Sequence, residues 1–373
     1  PADQHPVCEG FAFTGECFNT FVPDLDGRIS FAVLGGNAIA LQNGSLDNSF
    51  TDWRLRAEYD LTEKNLIYGL IATGNKSGGF NDNIPGTEGL GVASPSGSAP
   101  AAFDVDTLAP TYDPEQLTLF EVGSNNEFMI GDNPALFNVS AFYYDYTDLQ
   151  LFTLLSTAQA LQFEGIELTQ AQLDQLGGQL VGFNFNASDA EIYGAQFEGK
   201  VDLPHNWTLK GNLLWLAEAK VVNSIEVQDS RFQADVDPVN SVNRSIEGNR
   251  LPRTPEIQFN GSVSKIIDTS YGSFDGILSV GYRSSQHMTI FNGIDYATPE
   301  SPALRLDDKV DGYWTLDAGA GYSHGKDGKL RFEVYAANIT DVQEPQAIII
   351  TQFDNTRFFS RPRTFGARLR VKF

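Results

Sequence analysis

The sequence predicts an all-β protein: a transmembrane antiparallel β-barrel, of which this chain supplies about 11–12 strands. Three observations predict it. The last ten residues alternate strictly, with Phe365, Ala367, Leu369, Val371 and Phe373 on one face and Thr364, Gly366, Arg368, Arg370 and Lys372 on the other. A strand with one apolar and one basic face suits a wall between lipid and a polar interior. The same alternation recurs along the chain in pairs of runs joined by short turns, the pattern of successive hairpins. Links between the pairs are long and rich in Gly, Ser, Asn and Asp. Short turns on one rim and long loops on the other are the asymmetry of outer-membrane barrels.

Residues 1–49 are expected to form an extracellular loop region. In it, Cys8 and Cys17 point to one local disulfide in an oxidising compartment, and Arg28–Leu41 is a candidate strand. Residues 50–373 are the expected barrel strands with long extracellular loops. The first strand runs from Thr51 to Leu61, with Thr51, Trp53, Leu55, Ala57, Tyr59 and Leu61 alternating against Asp52, Arg54, Arg56, Glu58 and Asp60. After Thr62-Glu63-Lys64-Asn65 a return strand follows, with Leu66, Tyr68, Leu70 and Ala72 read as its apolar face. The next pair is Gln116–Ile130 with Ala135–Gln150, across Gly131-Asp132-Asn133-Pro134. Glu191–Leu203 and Trp207–Val222 join at Pro204-His205-Asn206. Glu256–Ile267 and Phe274–Ile290 join near Thr269-Ser270-Tyr271-Gly272. Tyr313–Ser323 and Leu330–Ile339 join at Gly325-Lys326-Asp327-Gly328, and Arg361–Phe373 closes the series. The long links are 76–115, 152–190, 223–255, 291–312 and 341–360.

Trp207 and Trp215 give a geometric check. They lie on one face, eight residues apart. At about 3.3 Å per residue and a tilt of about 40°, that is about 20 Å of height. An outer-membrane barrel has an apolar band of similar height between two aromatic girdles.

Composition excludes several classes. No stretch approaches the roughly 20 apolar residues of a membrane helix, and the mean hydropathy is −0.23, as expected when apolar residues take every second position. The formal net charge is −23, so the net field opposes nucleic-acid binding; solvated loops account for the acidity. Pro1-Ala2-Asp3-Gln4 has neither the basic start nor the apolar core of a secretory signal.

Several motifs, in order, resemble those of the TonB-dependent receptors, active transporters of the Gram-negative outer membrane. They are Trp53–Asn81 with Tyr68-Gly69 and Lys76-Ser77-Gly78-Gly79-Phe80-Asn81; Tyr112-Asp113-Pro114-Glu115 with Phe120-Glu121-Val122-Gly123; and Phe142-Tyr143-Tyr144-Asp145-Tyr146 with Gln150. Asn186-Ala187 with Ile192–Glu198, Ala336–Asp341, and Arg361-Pro362-Arg363 to Phe373 complete the series. Thr364, Gly366, Leu369, Val371 and Phe373 resemble the signal by which bacterial barrels are recognised for assembly. The resemblance covers nearly all of residues 50–373 and is to the C-terminal part of the barrel. It implies a multi-pass outer-membrane protein whose 22-stranded barrel is completed by strands outside these residues. A plug domain, also expected outside them, and the TonB complex are the implied partners.

No spacing of His, Cys and carboxylates suggests a metal site, and no nucleophile elbow or phosphate loop appears. No enzyme activity, cofactor or metal is expected. Arg54, Arg56, Glu58, Glu121, Arg368 and Arg370 are expected to face the lumen and plug, together with Glu127, Lys210, Arg283, Asp317, Arg331 and Glu333. Phe80, Asn81, Asp82, His287 and Phe291 are ligand-loop candidates at the strand tops. The expected function is TonB-dependent import of a scarce ligand: a ferric siderophore, a cobalamin-like cofactor or a glycan. The alternatives are a passive outer-membrane pore and a structural or adhesin barrel without energy coupling.

Overall fold

The computed structural model describes residues 22–23, 29–35, 38–42, 46–81, 111–156, 169–171, 180–224, 226–228, 243–293, 308–325, 329–350 and 355–372. Cys8, Cys17, Asp82 and Phe373 lie outside them, as do Arg28 and most of the long links.

Eleven strands form one antiparallel sheet in which every neighbour in sequence is a neighbour in space. They are β1 (Arg54–Thr62), β2 (Asn65–Lys76), β3 (Glu115–Ile130), β4 (Asn133–Ser156), β5 (Leu180–Leu203) and β6 (Trp207–Val222). Then come β7 (Ile257–Thr269), β8 (Gly272–Arg283), β9 (Tyr313–His324), β10 (Leu330–Ala337) and β11 (Thr364–Val371). β1 and β11 are the two edges of the sheet. Among the described residues no helix is long and apolar enough to cross a membrane.

The ladder registers carry one pair of faces through all eleven strands, because directly paired residues point the same way. From β11 the apolar face passes through Leu369, Phe332, Tyr322, Phe274 and Ile267. A step up the strands, it continues from Val263 through Leu209, Val201, Ala135 and Phe128. At the other edge it holds Ile71 and Leu55. This face is not the core of a sandwich. Phe365 is 72% exposed, Leu55 65%, Leu369 64% and Val122 61%. Such side chains on a wide continuous sheet suit hydrocarbon as solvent.

Short turns hold one rim. In the three-residue turn Pro204–Asn206, both His205 and Asn206 take positive φ. On the opposite rim four of the five long links begin as two-stranded ladders beyond the main sheet. These are Gly79–Phe80 with Thr111–Tyr112, Glu226–Gln228 with Asn243–Ser245, Gln286–His287 with Lys309–Val310, and Pro345–Ile350 with Asn355–Phe359. In the fifth, β4 and β5 simply continue, paired from Leu180↔Ser156 down to the turn.

Four readings of the sequence change. The 152–190 link is largely strand at both ends. The strand expected over Phe274–Ile290 stops at Arg283, then resumes in the upper ladder. Arg28–Leu41 is not one strand: Ile29–Gly35 and Ala38–Gln42 pair with each other in a separate small sheet. Finally, Leu66, Tyr68, Leu70 and Ala72 pair with Asp60, Glu58, Arg56 and Arg54, so they lie on the polar face. Ile67, Gly69 and Ile71 take the apolar one. β2 is apolar on both sides, so period-two counting alone leaves its orientation undetermined.

A register shift sits at Tyr193/Gly194, where Gly194 pairs with Leu216 and Tyr193 with Glu218. A Cβ at Gly194 would collide with the Trp215 carbonyl, so the bulge needs glycine there.

Candidate functional site

The polar face of the sheet is the candidate site, together with the junctions above it. The register places Arg54, Arg56, Glu58, Glu121, Glu127, Lys210, Arg283, Asp317, Arg331, Glu333, Arg368 and Arg370 on that one face. Six of them fall into two clusters at opposite edges.

Near β1, Arg56 lies over the Tyr68 ring at 4.3 Å and its Nε contacts Glu58 at 2.5 Å. The Tyr68 hydroxyl donates to Glu121 Oε1 at 2.5 Å. The ring also covers Gly123, where a Cβ would come within 2.5 Å of it. The Phe120-Glu121-Val122-Gly123 motif thereby has a physical role: Glu121 takes the hydroxyl and Gly123 leaves room for the ring. Sequence reading missed Tyr68 because its strand is apolar on both faces; the glycine opposite it was the available signal. On β4, Phe142, Tyr144 and Tyr146 continue the same face upward, with centroids 5.2 and 6.4 Å apart.

Near β11, the Arg331 guanidinium donates to Asp275 Oδ2 at 2.9 Å, Glu333 Oε1 at 2.6 Å and Ser323 Oγ at 2.9 Å. Glu333 in turn meets Arg368 at 3.6 Å. The fork thus links β8, β9, β10 and β11. It crosses β9 at Gly321, where a Cβ would strike both Arg331 and Asp275.

At the top of the sheet, motif residues hold the junctions with the upper ladders. Asn186 Nδ2 donates to the carbonyls of Asp113 and Asp148, at 3.0 and 2.7 Å, and its Oδ1 accepts the Asp113 N–H at 2.7 Å. Gln150 Nε2 donates to the carbonyls of Ser77 and Asp113. Asn338, at φ +50°, donates through Nδ2 to the carbonyls of Val342 and Arg361, while Asp341 accepts from Arg363 N–H at 3.0 Å. These are side chains standing in for missing ladder partners.

The described ligand-loop candidates are scattered over this rim. Phe80 is exposed and Asn81 buried. His287 Nδ1 meets buried Asp308 Oδ1 at 3.0 Å, and Thr289 N–H donates to Asp308 Oδ2 at 3.0 Å. Phe291, also buried, follows in the same turn. The structure brings His287 and Phe291 into one junction and Phe80 and Asn81 into another. Of the residues expected to form the assembly motif, Thr364, Gly366, Leu369 and Val371 lie along β11, and Gly366 receives the Tyr335 ring. Among the described residues no group of His, Cys, Asp and Glu is placed to hold a metal ion.

Residues 26–339 match the family model described as TonB dependent receptor-like, beta-barrel. No curated protein sequence matches the chain. Among solved structures, the ferric yersiniabactin uptake receptor FyuA of Yersinia pestis superposes with a TM-score of 0.62 at 19% identity, over 93% of this chain and 40% of that one. The siderophore receptor PiuA of Acinetobacter baumannii gives 0.57 at 13%, over 92% and 38%. The ferripyoverdine receptor of the Pseudomonas aeruginosa outer membrane gives 0.51 at 14%, over 93% and 35%. This chain therefore spans about two fifths of the length of these proteins, and the likeness is one of fold.

Proposed function

The chain belongs to the TonB-dependent receptor-like β-barrel family of the bacterial outer membrane, and on that premise we propose that its protein imports a scarce ligand across that membrane. TonB supplies the coupling to inner-membrane energy. The observation that carries this reading is the continuous polar face of mixed charge across eleven strands. Eleven strands are already more than a small, side-chain-filled barrel uses, and a barrel of about 22 has a lumen that must be plugged. Arg54, Arg56, Glu58, Glu121, Arg368 and Arg370 then meet a plug domain, since alternating signs suit a protein surface better than a one-sign ion filter. The exposed Phe80 and the upper lumen around Tyr144 and Tyr146 meet the ligand. A ferric siderophore is the first class to test, ahead of a cobalamin-like cofactor or a glycan. Cys8 and Cys17 are assigned to a disulfide of the outer loops.

The test is uptake by the full-length protein in cells with and without TonB. Uptake that needs TonB and an energised inner membrane, with ligand binding retained in its absence, supports import. Equal uptake in both strains would replace it with a passive pore.

A further inference from the structure

We propose that Lys265 and Trp207 form a binding site for the phosphate of an anionic glycerophospholipid, in the leaflet on the short-turn side. The site goes beyond import and rests only on the sheet standing in a membrane.

The apolar face is nearly free of charge where it meets lipid. Asp145, Glu191, Glu218 and Lys220 lie on it close to the long-loop rim, and there Lys220 contacts both glutamates at about 4 Å. In the half nearer the short turns, Lys265 is the only Lys, Arg, Asp or Glu on this face among the described residues. Its register leaves no doubt of its direction: it pairs with Trp207 on one side and Gly276 on the other, flanked along its strand by Val263 and Ile267. No carboxylate ion-pairs with it among the described residues. Its Nζ instead sits 4.6 Å from the centroid of the Trp207 ring.

Trp207 is the first residue of β6, one step above the turn. That is the level of the interfacial girdle, where hydrocarbon gives way to headgroups. A lysine there keeps its stem in the apolar layer and its ammonium at phosphate height. Facing an indole rather than a carboxylate, the ammonium retains capacity for an anion.

The neighbouring surface is shaped for the rest of the lipid. Gly276 leaves a gap beside Lys265, since a Cβ there would meet nothing closer than the Gly319 carbonyl at 3.9 Å. Ala320, its partner on β9, extends the notch. The Phe274 and Tyr322 rings, 4.5 Å apart, wall it on the turn side, and exposed Leu278 opens it towards mid-membrane. The phosphate lies on Lys265 and an acyl chain runs from the notch over Leu278.

Native mass spectrometry of the full-length protein, titrated separately with phosphatidylglycerol, with phosphatidylcholine of identical chains and with lipid A, tests this. The wild type should prefer phosphatidylglycerol by about fivefold, the effect of one interfacial lysine. Lys265→Gln should abolish the preference, Lys265→Arg should keep it, and Gly276→Leu should weaken both lipids alike. Heat-modifiable mobility on gels confirms that each variant is folded. If Lys265→Gln does not fold, the Arg and Gly276→Leu variants decide. An unchanged preference in Lys265→Gln, no preference in the wild type, or binding confined to lipid A would overturn the proposal. Ligand uptake, measured separately, should be the same in Lys265→Gln, so failure here leaves the import reading standing.

Discussion

Asn81 pairs with Asn184 as a strand would. Its Nδ2 donates to the Asn184 carbonyl at 2.7 Å, and its Oδ1 accepts the Asn184 N–H at 2.6 Å. The residues are 103 apart in sequence, and Asn81 is only 5% exposed. One side chain thus satisfies both backbone groups of a residue on another link.

Asn81→Ala should therefore strand two backbone groups. The expected cost is about 1–3 kcal/mol, confined to this junction. Hydrogen exchange at the Asn184 amide should quicken while the heat-modifiable barrel stays intact. Asn81→Asp, which sets a buried carboxylate against the Asn184 carbonyl, should be no milder than Asn81→Ala. Exchange at the wild-type rate in Asn81→Ala would show that the pairing adds nothing to the stability of this junction.

A second prediction concerns two glycines seated under tyrosines. Tyr68 covers Gly123 and Tyr335 covers Gly366, each pair directly opposed in the ladder. Gly366→Val should lower the yield of folded barrel by displacing the ring. If the ring is the obstacle, adding Tyr335→Ala should restore part of the yield. A double variant no better than Gly366→Val alone would instead place the defect in recognition of the terminal motif by the assembly machinery.

The strands were legible because alternation against lipid leaves a period-two record, and Trp207–Val222 was read to the residue. Less legible were the upper ladders. Gln286–His287 and Lys309–Val310 are each two residues long, too short for a periodic signal. The face of Tyr68 was hidden by apolar residues on both sides of β2 and emerged only from pairing with Glu58 and Gly123. The motif residues Asn186, Gln150 and Asn338 were recognisable, but their roles were not. Each bonds backbone groups that sequence spacing does not reveal, such as Asp113 for Asn186, at a separation of 73. Lys265 was missed because its position on the lipid face follows from Trp207, across two strands and a long link.

In the sequence, Phe373 continues the period-two alternation of the apolar residues of β11, Phe365, Ala367, Leu369 and Val371. Phe373→Asp should reduce the amount of heat-modifiable barrel in outer membranes, with ligand binding normal in whatever fraction assembles. The expected cause is a charge in an apolar alternation and loss of the aromatic from the motif that resembles the assembly signal. Outer membranes containing wild-type amounts of the folded variant would remove Phe373 from that role.

The last prediction tests the Arg331 fork. Its guanidinium reaches from β10 across Gly321 to Asp275 and also holds Glu333. These side chains are about a quarter to a third exposed, so screening weakens the pairing. Removing the cation, however, leaves two carboxylates beside each other on one face. Arg331→Met should be destabilising on that account, read as a lower temperature for conversion of the folded gel band. Adding Asp275→Asn and Glu333→Gln removes the repulsion, so the triple variant should recover most of the loss. Gly321→Leu, which obstructs the crossing without touching a charge, should resemble Arg331→Met. A triple variant as unstable as Arg331→Met would mean that the fork's hydrogen bonds, rather than carboxylate repulsion, set its contribution to joining the last four strands.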